Sequence, residues 1–76
     1  MWQVLGYFRH KDDHELTPLT VLVAIEADGE LYVYCPKEQH CRTDRGYLEE
    51  CVPIAKEQYI QASKGFYTPR EYLREE

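Results

Sequence analysis

Apolar residues are densest along Val21-Leu22-Val23-Ala24-Ile25 and Leu31-Tyr32-Val33-Tyr34-Cys35. Both runs are rich in β-branched and aromatic side chains, which fit a pleated, half-buried surface. Asp28-Gly29 joins them, and this pair suits the two positive-φ positions of a type I′ hairpin turn. Strands are therefore predicted at Thr20 to Ala27 and Glu30 to Cys35. The turn sets their register, with Ile25 opposite Tyr32 and Val23 opposite Tyr34. One face carries Val21, Val23 and Ile25 beside Tyr32 and Tyr34. The other carries Leu22, Ala24 and Glu26 beside Leu31, Val33 and Cys35. Both faces are mainly apolar, so the sheet needs two covers.

Trp2 to Arg9 reads as a further strand, with Trp2, Val4, Gly6 and Phe8 on one face and Gln3, Leu5, Tyr7 and Arg9 on the other. His10 to Pro18 and Lys37 to Thr43 read as polar loops. From about Asp44 the period changes. Leu48, Val52, Ala55, Tyr59 and Ala62 recur at spacings of four and three, a narrow helical stripe. Pro53 interrupts that stripe, because an interior proline loses a hydrogen bond and clashes with the preceding turn. The pattern predicts a short helical turn near Tyr47 to Cys51, then a main helix with Pro53 in its first turn. A short strand at Tyr47 to Val52 is the alternative. Gly65 can end the main helix in a left-handed cap. Thr68-Pro69-Arg70-Glu71 combines a capping box with proline at the first helical position, so a short helix is expected from Pro69 to about Arg74. Thr68-Pro69-Arg70-Glu71-Tyr72-Leu73 resembles the helix start found in response-regulator output domains, and this resemblance implies a helix start alone.

The expected fold class is thus α+β. A three-stranded antiparallel sheet carries one main helix packed on one face, and a short C-terminal helix follows. At 76 residues the chain is one small domain, 1–76. A domain of that size buries only about 60% of its unfolded surface and has no room for a cleft between lobes. Seven Tyr stand against two Phe and one Trp. Tyr suits half-buried positions and is enriched at interfaces.

The net charge of −5 opposes general nucleic-acid binding. Three cysteines without a close pair do not form a disulfide framework. The N-terminus opens into a strand-like segment with no leader pattern, which suggests a cytoplasmic protein with free thiols.

Four chemistries can be weighed on the residues. Cys35, Cys41 and Cys51 with His40, His10 or His14 could hold zinc, but the thiols lack knuckle spacing. Adjacent His40 and Cys41 point apart and do not make a nucleophile and base pair. Asp12, Asp13 and Glu15 lack the alternation and glycine of a calcium loop. Arg9, Lys37, Arg42 and Arg45 with the sheet tyrosines could stack a single strand, against the overall charge. No catalytic, cofactor or metal residue is therefore assigned. The expectation is a non-enzymatic protein-binding module: regulatory, adaptor or inhibitor. Its partner is a protein or a second copy in a homodimer. Tyr7, Tyr32 and Tyr34, with Lys37, Arg42 and Arg45, are the expected contact residues, since Tyr and Arg most often carry binding energy. A zinc-stabilised or single-strand nucleic-acid-contacting domain is the alternative.

Overall fold

The structure, a computed structural model, describes residues 2–73. Four strands follow one another in an antiparallel meander: β1 (Trp2–His10), β2 (Val21–Ala27), β3 (Glu30–Cys35) and β4 (Gln39–Thr43). A short helix, α1 (Arg45–Glu49), leads from one sheet edge to the other. There β5 (Cys51–Ile54) pairs with β1. The sheet order is β4-β3-β2-β1-β5. Helix α2 (Lys56–Ala62) and a 3-10 turn (Arg70–Leu73) complete the chain.

The hairpin forms as its sequence requires. Ile25 pairs with Tyr32 and Val23 with Tyr34. Asp28 and Gly29 both take positive φ, 54° and 82°, the signature of a type I′ turn. Val21 to Ile25 are all buried, so β2 is the central strand and is covered on both faces.

The sheet has five strands, which corrects the expected three. The first addition is β4, where a polar loop was expected. Its side chains are exposed apart from Thr43, so no apolar rhythm marks it. It forms because the outer backbone groups of β3 need partners. The connection is a three-residue loop closed by Gln39 in a left-handed conformation, φ 65°. The second addition is β5, which replaces the expected first turn of the main helix. Pro53 lies in this outermost strand, opposite Phe8, where a residue without an N–H is tolerated. Helix α2 consequently starts only at Lys56. The amide of Ala55 donates to Oε1 of Gln58 at 2.8 Å, satisfying one donor before the helix.

The expected main-helix stripe is thereby divided. Tyr59 and Ala62 face one core, whereas Leu48 belongs to α1 and packs on the opposite side of the sheet. The expected C-terminal helix is a 3-10 turn, and Arg74 lies outside the described residues. A register shift between Val4 and Gly6 also changes the phase of β1. Val4 and Tyr7 therefore pack on the same core and Phe8 on the other, correcting the strict alternation expected there.

The two covers come from this chain. On the first face, α2, Tyr72 and Leu73 close over Val21, Val23, Ile25 and Tyr34. On the second, Tyr47 and Leu48 of α1 lie with Phe8, Leu22, Val33, Cys35 and Cys51. Arg9 organises the long β1–β2 loop: its guanidinium donates to the carbonyls of His10 and Asp13 at 3.2 and 3.0 Å. An ion pair between Lys11 and Glu50 ties that loop to the start of β5.

Candidate functional site: an aromatic cleft beside a pinned strap

Residues 66–73 form a strap across the first face, and tyrosine hydroxyls hold it. Tyr34 donates to the carbonyl of Tyr67 at 2.7 Å. Tyr7 donates to the carbonyl of Tyr72. The Tyr59 hydroxyl lies 2.9 Å from Oγ1 of Thr68. That last bond occupies the threonine expected to cap the C-terminal helix. Each ring packs into the core while its oxygen reaches the strap, so one side chain supplies both apolar area and a hydrogen bond. Burial pushes the Tyr59 hydroxyl up to about 12 and raises that of Tyr34.

The described residues of the strap leave part of the hairpin end of the sheet uncovered. There a cleft of about 430 Å³ opens, lined by Trp2, Ile25, Ala27, Tyr32, His40, Pro69, Glu71 and Tyr72. The β1–β2 register brings Trp2 to it, opposite Ala27. Trp2 meets the Tyr72 ring edge to face, with centroids 5.6 Å apart. Tyr72 also contacts Tyr34 and His40 edge to face, at interplanar angles of 64° and 83° and 5.7 Å between centroids in each case. Nε2 of His40 lies 2.6 Å from the Tyr72 hydroxyl. Arg42 stands opposite Tyr32 on β4, and its guanidinium pairs with Glu30 at 2.6 Å.

The six expected contact residues do not form one patch. Tyr34 is only 2% exposed and belongs to the core under the strap. Tyr7 is half-buried and also holds the strap. Tyr32 lines the cleft, with Arg42 beside it. Lys37 lies over the Phe66 ring, 5.3 Å from its centroid. Arg45 is exposed in α1, the cover of the second face. Of the eight lining residues only Tyr32 is an expected contact; Trp2, Tyr72 and Glu71 are among those the sequence did not point to. Trp2 was legible as a large aromatic at a strand end. The part played by Tyr72 and Glu71 depends on where the strap lies, and no local pattern states that.

The weighed chemistries find little geometry. Among the described residues, no group of three or more His, Cys, Asp or Glu is placed to hold a metal. Burial pushes the Cys35 thiol up to about 11 and raises that of Cys51, which opposes a thiolate nucleophile. The basic residues are dispersed: Arg9 serves its loop, Arg42 pairs with Glu30, and Lys37 rests on Phe66. No helix among the described residues is long and apolar enough to cross a membrane. No family model matches the chain, and comparison with curated proteins and with solved structures finds no match.

Proposed function

We propose that this chain is a non-enzymatic protein-binding domain whose contact surface is the hairpin end of the first sheet face. The observation that carries this reading is the open cleft of about 430 Å³ between Trp2, Tyr32 and Tyr72. Trp2 remains 44% exposed there, although most large apolar side chains of the sheet are covered. An exposed aromatic beside a concave apolar site suits a contact anchor, and Tyr32 with Arg42 extends the surface with residue types that carry binding energy. The raised thiols give no support to covalent catalysis.

The test is affinity capture from the native host with four proteins: wild type, Trp2→Ala, Tyr32→Ala and Arg45→Ala. Arg45 lies on the cover of the opposite face and serves as the control. A partner held by wild type and Arg45→Ala but lost with both cleft variants is the expected result. Equal capture by all four proteins would remove the cleft from consideration.

A further inference from the structure

Aromatic rings make up half of the cleft's lining residues, the rest being Ile25, Ala27, Pro69 and Glu71, and its uncommitted hydrogen-bond acceptors are few. Trp2, Tyr32 and Tyr72 line it, and the Trp2 and Tyr72 rings meet at 79° to form a corner. His40 and the Tyr72 hydroxyl are bonded to each other. Glu30 is paired with Arg42. Glu71, which also lines the cleft, makes no ion pair among the described residues. The chain as a whole carries a net charge of −5.

We propose that this cleft receives a methylated lysine side chain presented by a basic segment of a partner protein. The proposal rests on the reading of the cleft as a protein-contact site and names what enters it. Aromatic faces attract cations through their quadrupole, and aromatic-lined pockets suit ammonium groups whose hydrogens are replaced by methyls. An unmodified ammonium brings three donors, and these walls offer little beyond the Glu71 carboxylate to accept them. A trimethylammonium brings none, so it loses least on leaving water for this site. Glu71 and the acidic chain supply the opposite charge that draws a basic segment in. The volume lies within the range of about 300–1,000 Å³ usual for ligand pockets.

Trp2 is the single tryptophan of the chain, so its fluorescence reports occupancy directly. The probes are short basic peptides identical except at one central position. That position carries lysine, trimethyllysine, or the neutral isostere in which carbon replaces the quaternary nitrogen. Free choline is a fourth probe. Binding is read by Trp2 emission and by amide shifts of the cleft residues. The trimethyllysine peptide is expected to bind at least about fivefold more tightly than either the isostere or the lysine peptide, the scale of a cation–π contact. Glu71→Gln, an exposed substitution, should weaken it by a similar factor while leaving the fold intact. Choline should bind more weakly than the peptide.

Equal affinity for the neutral isostere would overturn the cation assignment and leave an apolar protein-contact cleft standing. Choline binding as tightly as the peptide would move the site to a small-molecule ligand. No shift at the cleft with any probe would also overturn the proposal, and the capture experiment would then decide the protein-contact reading separately.

Discussion

On one side of β2, Val21, Val23 and Ile25 lie under α2 and the strap. On the other, Leu22 shares a cluster with Tyr47 and Leu48 of α1. The α1 cover is continuous in sequence with the strands it joins, so the turn from edge to edge brings it into place. Its N-cap is local: Asp44 accepts from the amide of Tyr47 at 3.0 Å. Among the described residues, no strand lies on the far side of the strap to position it. Tyrosine hydroxyls on β1, β3 and α2 do so instead. The difference accounts for three of the seven tyrosines, Tyr7, Tyr34 and Tyr59. A cover held by neighbours needs only apolar contact, whereas a free-running segment needs directional bonds, and Tyr provides both. Among the described residues, the same arrangement leaves the hairpin end of the strap face open, where the cleft lies.

Core truncations should separate the two covers most clearly. Tyr59→Ala removes a fully buried ring and a strap bond together, and should cost about 3–5 kcal/mol. That is comparable with the whole stability of a domain at the lower end of the usual range, so urea denaturation should find the variant largely unfolded. Leu48→Ala on the α1 side, only partly buried, should cost about 1–2 kcal/mol and leave a measurable transition. Equal losses would refute the asymmetry between covers.

Gly29→Val disturbs the register that both faces share. A Cβ at Gly29 meets nothing within 4 Å, so the penalty comes from its φ of 82° alone. A cost of about 1–3 kcal/mol is expected, with both faces weakened together. An unchanged thermal midpoint would contradict the type I′ turn.

Alkali should weaken the contributions of Cys35 and Tyr59 in overlapping windows. Cys35, beside the α1 cover, ionises at about 11 in the folded protein against an ordinary 9.0, and Tyr59 at about 12 against 10.0. Both values are raised, so their contributions are complete below the unfolded values and are lost as pH rises through the folded ones. Stability should fall from about pH 9 to 11 through Cys35, and from about 10 to 12 through Tyr59. Cys35→Ala should flatten the lower part of a urea-midpoint profile and Tyr59→Phe the upper part. The smallest effect should be that of Tyr34→Phe, about 1 kcal/mol for one hydrogen bond, read by thermal melting.

What could be read in advance divides along the same line. The β2–β3 hairpin was legible to its register, since Asp28-Gly29 and the two apolar runs agree. Gly65 is left-handed, φ 89°, as expected, but α2 ends earlier, at a C-cap formed by Ser63. β4 was hidden because Gln39-His40-Cys41-Arg42-Thr43 carries no apolar alternation, its strand state being imposed by β3. β5, Cys51–Ile54, was legible only as the alternative strand at Tyr47 to Val52, because Val52 continues a helical spacing from Leu48, while Pro53 allows either a helix start or an edge strand. Only pairing with β1 decides between them. The surplus of tyrosine was visible, but not its use. A Tyr on a strand reads the same whether its hydroxyl meets water, a partner or a strap from 33 residues away, as in Tyr34. Tyr32 was recognisable as a surface residue, and the cleft around it required the strap to be placed.

The most direct test of the hydroxyl-pinned strap is the triple variant Tyr7→Phe, Tyr34→Phe, Tyr59→Phe, which keeps each ring and removes each hydroxyl. The measurement is the rate of chymotrypsin cleavage within residues 66–73 under native conditions, with far-ultraviolet circular dichroism confirming the sheet. At about 0.5–1.5 kcal/mol for each hydrogen bond, the variant should be cut in the strap at least about tenfold faster than wild type. An unchanged rate in a folded variant would show that the hydroxyls do not hold the strap.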